Sequence, residues 1–229
     1  VTASSESSEG PVENTQDGLT FDYWMPGTSG DATLTLTVGT HDYIAIAAHN
    51  CDDECDEVRV TVDGQQVMAT ENITDRSPIW LHPQQRDGDV TLTFANATSS
   101  LRVGVIYCGL LLQMQRTEWQ GRAPLTHQVN ENRVPSTSDT GQYLGQILTR
   151  EFYTARPSFD HLESEWYRDN VPAFVRASQT QAFFYAWRPG DYPREIAYGW
   201  RTGQVKPNNT GPAGLMSMSF DFEGVSHEQ

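Results

Sequence analysis

The amino-acid sequence predicts a mainly β protein, in which an N-terminal antiparallel β-sandwich precedes a small α+β unit. Alternating apolar and polar residues, which are typical of strands with one wet face, recur at residues 32–38, 58–62 and 90–94. Turn signals, of which Asp63-Gly64 is the clearest, separate such segments at a spacing of roughly ten residues. After about residue 141 the pattern changes to a strand, a helix-like repeat and further strands.

The sandwich is placed at residues 18–115. Residues 43–48 (YIAIAA) are apolar throughout, which predicts a strand buried on both faces. Residues 101–107 (LRVGVIY) predict another strand, which continues into the apolar residues that follow. Five or more short antiparallel strands with regular turns favour a jelly-roll-type sandwich.

Two segments outside the sandwich lack a strand or helix pattern. Residues 1–17 are rich in Ser, Glu and Gly and have few large apolar side chains, so they are predicted to form a flexible acidic arm. Residues 116–141 mix Trp119 and two prolines with Arg, Asn, Thr and Ser, without periodicity. They are predicted to form an irregular connector that lies on another surface.

The α+β unit is placed at residues 142–229, with a long strand at 143–153. A helix is predicted to start with Ser158 as its N-cap, because Phe159, Leu162 and Trp166 then share one face. Pro172 is predicted to end or interrupt this helix. Three strands are predicted to follow it, at residues 182–187, 195–200 and 215–222.

The net charge of −15 makes duplex nucleic acid a poor partner, because neutralising phosphates requires a basic face. Lys206 is the only lysine. An acidic surface with Arg in place of Lys suits a salty environment, and a GC-rich genome explains the same bias. No apolar run approaches the length of about twenty residues that a membrane span requires, so no membrane insertion is expected.

The acidic loop around Cys51 and Cys55 is the densest group of charged ligands. It offers five carboxylates to Ca²⁺ but lacks the spacing of a known calcium loop. The five residues are Asp52, Asp53, Glu54, Asp56 and Glu57. A disulfide between the two cysteines, free thiols, and a zinc site that includes His49 are the other interpretations.

No catalytic motif occurs in the chain, so neither enzymatic activity nor a cofactor is expected. Trp24 and Trp80 are candidates for stacking against a glycan if they are exposed on the sandwich. The aromatic segment at residues 183–200 is the candidate subunit interface. Its members are Phe183, Phe184, Tyr185, Trp187, Tyr192, Tyr198 and Trp200.

Residues 172–225 (PAFVRASQTQAFFYAWRPGDYPREIAYGWRTGQVKPNNTGPAGLMSMSFDFEGV) resemble the C-terminal part of virion structural proteins of tailed, phage-like viruses. The N-terminal segments FDYWMPG, YIAIAAHN and SPIWL are similar to the sandwich half of those proteins. The acidic loop departs from the family pattern, in which a shorter neutral turn is more usual. The second unit is similar to the β-barrel-plus-helix building block of tail tubes and distal tail proteins.

This resemblance implies a non-enzymatic virion component at the tail tip or baseplate. It implies a homo-oligomeric ring of three or six copies that contacts other tail proteins. The Lys-poor acidic surface suits a halophilic or marine host. The alternatives are a capsid decoration protein and a sandwich of the carbohydrate-binding-module type, which binds a host cell-surface glycan during adsorption. A tail hydrolase is the minority interpretation.

Overall fold

The computed structural model describes residues 1–71, 73, 77–118, 123–125, 128–210 and 214–225. Within these residues the protein is mainly β with antiparallel sheets, as the sequence predicts. The chain divides into an N-terminal unit, formed by Val1–Leu111 and Arg188–Ile196, and a C-terminal unit, formed by Leu112–Trp187 and Ala197–Gln229. The loop at Arg188–Ile196 therefore groups with the N-terminal unit, although its sequence position placed it in the predicted α+β unit.

The N-terminal unit is a sandwich of two antiparallel sheets, one in the order β1-β2-β7-β4-β5 and the other in the order β6-β3-β8. A short helix, α1 (Cys51–Glu54), follows β3. The strands are β1 (Thr2–Ala3), β2 (Gly30–Leu36), β3 (His41–His49), β4 (Glu57–Val62), β5 (Gln65–Glu71), β6 (Ile79–Arg86), β7 (Val90–Ala97) and β8 (Val103–Gly109).

Side chains from both sheets meet in one core, because the alternating strands turn their apolar residues inward. Trp24 lies at its centre, and its ring centroid is 5.8 Å from that of Phe94. Asp63 and Gly64 both have positive φ, as the predicted tight turn between β4 and β5 requires. Strand β6 was not predicted, since residues 82–86 interrupt its apolar pattern with Pro83 and polar side chains.

The flexible acidic arm is a wrong prediction, because backbone pairing and side-chain hydrogen bonds hold residues 1–17 against the sandwich. Thr2 and Ala3 pair with β2, and the Trp24 Nε1–H donates to the Ser5 carbonyl at 3.1 Å. A 3₁₀ helix at Val12–Gln16 buries Val12 and Thr15. Backbone pairing requires few apolar side chains, so composition alone underestimated the order of this segment.

The C-terminal unit contains one sheet in the order β12-β13-β16-β10-β9 and a second in the order β11-β15-β14, together with helix α2 (Ser164–Ala177). Its strands are β9 (Val129–Thr137), β10 (Tyr143–Ala155), β11 (Ser158–Glu163), β12 (Phe183–Ala186), β13 (Ile196–Arg201), β14 (Lys206–Thr210), β15 (Leu215–Ser219) and β16 (Phe222–Val225).

The predicted helix start at Ser158 is wrong, because residues 158–163 form strand β11. His161 has a φ of +58°, and the pairing register shifts between Phe159 and Leu162. This bulge lets two apolar residues three positions apart both be buried from a strand, which imitates helical spacing. Helix α2 begins at Ser164 and continues through Pro172 to Ala177.

The irregular connector at 116–141 is also corrected, because it contains strand β9. The residues of β9 are mostly polar and almost all exposed, and β9 pairs with β10 along its length. Trp119 lies outside the described residues. Strand β14 (KPNNT) is similarly polar, and the predicted strand at 215–222 is two strands, β15 and β16.

Candidate interaction surface

The five acidic residues after β3 do not converge on a common point. The Asn96 Nδ2–H donates to Asp56 at 2.8 Å, and Arg59 lies 2.7 Å from Glu57. Glu54 accepts a hydrogen bond from Thr98, while Asp52 and Asp53 are exposed. No group of three or more His, Cys, Asp or Glu side chains in the described residues could hold a metal ion. The calcium interpretation is therefore not supported, because Glu54, Asp56 and Glu57 bind separate partners and no such group forms among the described residues.

The three cysteines are free thiols, so the disulfide between Cys51 and Cys55 is absent. Cys51 is fully buried, and its backbone N–H donates to the Nδ1 atom of His49 rather than sharing a zinc ion with it. The hydrogen bond from the Cys51 thiol lowers the pKa of Cys55, and the same contact, with burial, raises the pKa of Cys51. Burial raises the pKa of Cys108 to about 12, which keeps that thiol protonated at neutral pH.

Both candidate tryptophans for glycan stacking lie in the sandwich core. Trp24 is 0% exposed and Trp80 is 3% exposed. The indole N–H of Trp80 donates to the Thr70 hydroxyl at 3.0 Å, so its polar edge has a protein partner as well. The prediction that these rings form a glycan contact is wrong, because neither presents a face to solvent.

Most aromatic residues of the segment at 183–200 are buried or half-buried within the chain, whereas the sequence predicts that they form a subunit interface. The Phe183 ring lies 5.0 Å from that of Phe174 on α2 in an edge-to-face arrangement, and Phe184 lies 4.9 Å from Tyr198. Tyr198 is 1% exposed. Tyr185 is also buried, and Phe183, Phe184 and Trp187 are half-buried. Only Tyr192, in the loop of the N-terminal unit, and Trp200 are exposed among the seven.

Glu118 organises the buried polar groups beside this segment. Its carboxylate accepts hydrogen bonds from the Ser158 backbone N–H at 3.0 Å and from the Tyr185 hydroxyl at 2.8 Å. Its backbone carbonyl accepts a third bond from the Trp187 indole N–H. Glu118 therefore joins the start of β11 to β12, and both oxygens of its carboxylate are used in doing so.

Glu118 and Tyr185 also line a cleft of about 420 Å³ in the C-terminal unit. Two other carboxylates of the cleft, Asp221 and Glu223, form ion pairs. Asp221 lies 3.6 Å from Arg156 and 3.7 Å from Lys206, and Glu223 pairs with Arg150. The cleft thus offers a polar lining of paired charges with hydroxyl groups from Thr154 and Thr202.

The β9–β10 hairpin is the most exposed apolar feature of the described residues. Strand β10 pairs with β16 only over residues 152–155, whereas it pairs with β9 from Tyr143 to Tyr153. Between the turn and residue 152, the hairpin is a two-stranded ribbon. Residues 134–149, which include the turn, are here called the distal hairpin. All residues of the distal hairpin except the half-buried Ser138 and Gly145 are exposed.

Apolar side chains lie on both faces of the distal hairpin. Ile147 is directly opposite Val134 in the pairing register, so the two share a face, while Leu148 is opposite Arg133 on the other face. Ile147 is 70% exposed. The exposed apolar residues of the distal hairpin are Val134, Tyr143, Leu144, Ile147 and Leu148.

Sequence reasoning identified β10 as a strand but did not identify its exposure. The sequence feature that could have indicated this exposure is the uncharged apolar run YLGQIL at 143–148, which pairs with the mostly polar strand β9. The part of β10 that pairs only with the edge strand β9 has no second layer among the described residues to cover its side chains.

No protein-family profile and no curated protein matches the chain. Among solved structures, the chain is similar to the second family-32 carbohydrate-binding module of a family-31 glycoside hydrolase, whose structure contains bound GalNAc. The match has a TM-score of 0.34 and 13% identity, and it covers 47% of this chain and 95% of the module. A TM-score this low supports no argument about this chain. No helix in the described residues is long and apolar enough to cross a membrane.

Proposed function

We propose that the protein is a non-enzymatic structural component of a virus particle and that it acts by forming subunit contacts. The observation that carries the proposal is the distal hairpin. It presents five large apolar side chains to solvent on a ribbon that the rest of its sheet does not cover. Exposed apolar patches of this kind mark interaction sites in soluble proteins, and a two-stranded ribbon gains stability from a partner.

The viral setting is supported by the resemblance of residues 172–225 to virion proteins of tailed viruses. The proposed place is the tail tip or baseplate, where the chain assembles in a ring of three or six copies with other tail proteins. The net charge of −15 suits a salty environment.

Quantitative mass spectrometry and averaged electron cryomicroscopy of purified particles test this function. The expected result is several copies of the chain per tail, located at its distal end with three-fold or six-fold symmetry. A particle preparation that lacks the chain would reject the proposal. Copies distributed over the capsid would replace the tail assignment with the decoration protein.

A second candidate function is glycan binding during adsorption to the host. The polar cleft of the C-terminal unit favours it, because paired carboxylates, Arg156 and two threonine hydroxyls are groups that hydrogen-bond sugars. A glycan array probed with the intact protein tests this candidate. The expected signal is lost when Thr202 is replaced by Arg to fill the cleft, and it persists in Phe21→Arg, a surface change in the other unit. An array without signal would reject glycan binding.

A further inference from the structure

Two free thiols lie in contact at the short helix α1 of the N-terminal unit. The Cys55 backbone N–H donates to the Cys51 carbonyl at 3.2 Å, so the two residues are one helical turn apart. The Cys55 Sγ lies 3.4 Å from the same carbonyl, and the two thiols hydrogen-bond to each other. Cα atoms one α-helical turn apart are separated by about 6 Å, which is within the range that a disulfide spans. An S–S bond between them therefore requires no large movement of the backbone.

The two sulfur atoms differ in their access to solvent. Cys51 is 0% exposed and belongs to the core of the sandwich, whereas Cys55 is half-buried and packs against that core. The hydrogen bond from Cys51 also lowers the pKa of Cys55, which increases the thiolate fraction of Cys55 at neutral pH. Cys55 is therefore the sulfur that meets a reagent from solvent, and Cys51 is in place to react with the product.

Cys108 offers a comparison within the same unit. It lies on β8, where His49 pairs with Val103, so Cys108 is five residues, or roughly 16 Å, further along the strand from the end of β3 that precedes α1. That distance is too long for a disulfide with either cysteine of the loop. Burial raises the pKa of Cys108 to about 12, so its thiol is protonated at neutral pH and is a poor nucleophile.

The acidic side chains around Cys55 decide which oxidants reach it. Asp52 and Asp53 are exposed on α1, and Asp56, which is also exposed, directly follows Cys55. A local excess of negative charge lowers the concentration of anionic reagents at the surface, and oxidised glutathione is such a reagent. Hydrogen peroxide is small and uncharged, so this loop does not repel it.

We propose that Cys51 and Cys55 form a reversible disulfide when hydrogen peroxide oxidises Cys55. The Cys55 thiolate attacks one peroxide oxygen and the O–O bond breaks, so that Cys55 becomes a sulfenic acid and the released hydroxide takes up a proton to form water. The Cys51 sulfur then attacks the Cys55 sulfur. The S–S bond forms, the S–O bond breaks, and hydroxide leaves with the Cys51 proton as a second water. The two thiols lose two electrons, and the peroxide is reduced to two waters.

The disulfide stiffens the contact between α1 and the end of β7. The Thr98 backbone N–H donates to the Glu54 carbonyl at 2.9 Å, and the Asp56 N–H donates to the Ala95 carbonyl at 3.1 Å. Glu54 and Asp56 flank Cys55, so a cross-link at Cys55 restricts the local opening that exposes these amides. Both amides are expected to exchange with solvent more slowly in the oxidised protein. This inference goes beyond the proposed structural function and does not depend on it.

Titration of the intact chain with hydrogen peroxide, followed by denaturation, alkylation with iodoacetamide and tryptic mapping, tests the proposal. Trypsin leaves Cys51 and Cys55 together in the peptide that ends at Arg59, and it leaves Cys108 in residues 103–116. We expect the first peptide to lose two hydrogens and both alkylation sites after oxidation, and to recover both sites after treatment with dithiothreitol. The peptide with Cys108 should remain alkylated throughout.

Three single variants separate the two steps. In Cys51→Ala the second step is blocked, so peroxide should leave a Cys55 sulfenic acid that dimedone traps at a level at least tenfold above that in the natural chain. Cys55→Ser removes the attacking sulfur, so Cys51 should stay open to alkylation. Cys108→Ala is the matched control and should oxidise like the natural chain. Far-ultraviolet circular dichroism confirms that each variant is folded, and hydrogen exchange at Thr98 gives a measurement on the natural chain that needs no substitution.

Four results would overturn the inference. They are a peroxide-treated natural chain in which both loop thiols remain open to alkylation, oxidation of Cys55 that proceeds to the sulfinic acid, a disulfide that links two copies of the chain, and oxidation of Cys108 at the same rate as Cys55. The last result would show that contact between the two loop thiols does not select them. Unchanged exchange at Thr98 and Asp56 in a chain that carries the disulfide would reject the stiffening of β7.

Discussion

The aromatic segment at 183–200 and the distal hairpin belong to the same fold but differ in how far their apolar side chains are buried. Phe183 and Tyr185 of β12 pack against Phe222 of β16, with ring centroids 5.4 and 5.7 Å apart. Val134 and Ile147 face each other across the ribbon and meet solvent. The difference is a second layer: α2 and the smaller sheet contribute to the aromatic core, and nothing in the described residues covers the ribbon. Aromatic content therefore does not distinguish an interface from a core.

The largest expected effect comes from removing a ring of the aromatic core. Phe222→Ala deletes a side chain that is 1% exposed and touches two other rings. We expect it to lower the free energy of unfolding by about 3–5 kcal/mol, because a cavity remains in a rigid cluster. Urea unfolding followed by tryptophan fluorescence measures the loss, and Phe222→Leu should cost clearly less. A loss below about 1 kcal/mol would show that Phe222 and the rings it contacts are not core.

A methyl group added at Gly199 is the next largest perturbation. Its Cβ would meet the backbone of Glu223 and Gly224 on β16, which cannot move aside as a side chain can. We expect Gly199→Ala to cost about 2–3 kcal/mol in thermal or urea unfolding. Gly190→Ala is the control, because a Cβ there meets no atom within 4 Å, and it should stay within about 0.5 kcal/mol of the natural chain. Equal stability of the two variants would argue against close pairing of β13 and β16.

A smaller loss of stability is expected when a tyrosine hydroxyl is removed, and it should differ between a buried and an exposed tyrosine of the same unit. Tyr185→Phe removes the hydroxyl that donates to the buried Glu118 carboxylate, so we expect a loss of about 1.5 kcal/mol, as for other hydrogen bonds to charged groups. Tyr143→Phe removes an exposed hydroxyl from the ribbon and should change stability negligibly. Denaturation curves of both variants at one pH give the comparison. A larger loss of stability for Tyr143→Phe than for Tyr185→Phe would contradict this prediction.

The smallest expected effect is on the ribbon itself. Leu148→Ala should change the free energy of unfolding by less than about 0.5 kcal/mol, because half of the leucine is already in contact with water. Leu162→Ala, at a fully buried position in β11, should cost about 2–5 kcal/mol. Both are measured at low protein concentration, since self-association would add apparent stability. A costly Leu148→Ala under those conditions would mean that the ribbon is covered by its own chain.

Much of the fold could be predicted from local pattern. Strands β2 and β4 and residues 90–94 of β7 alternate between more and less buried side chains, as their sequence pattern predicts. The polar strands β9 and β14 could not be predicted, because backbone pairing with a distant strand does not depend on hydrophobic side chains. The helix prediction at Ser158 was wrong because of the bulge at His161. Apolar residues three positions apart fit both a helix and a bulged strand, so local spacing does not distinguish the two.

The candidate surface was less predictable than the fold. Tryptophan and carboxylate residues indicate binding by their chemistry, yet Trp24 and Trp80 are buried and the acidic residues of the Cys51 loop form no metal-binding group among the described residues. Ile147 and Leu148 carry no chemical group that indicates binding, yet both are exposed.

The sequence by itself determined the strand-rich fold class, the acidic charge and the position of the tight turn at Asp63-Gly64, because each depends on residues adjacent in the chain. The tertiary structure decided which apolar groups are core and which are surface. It did so because burial depends on whether a second layer lies over a strand, and that layer comes from residues far away in sequence. Residues 1–17 were ordered by partners such as Trp24 and β2, and the distal hairpin was left without a covering layer.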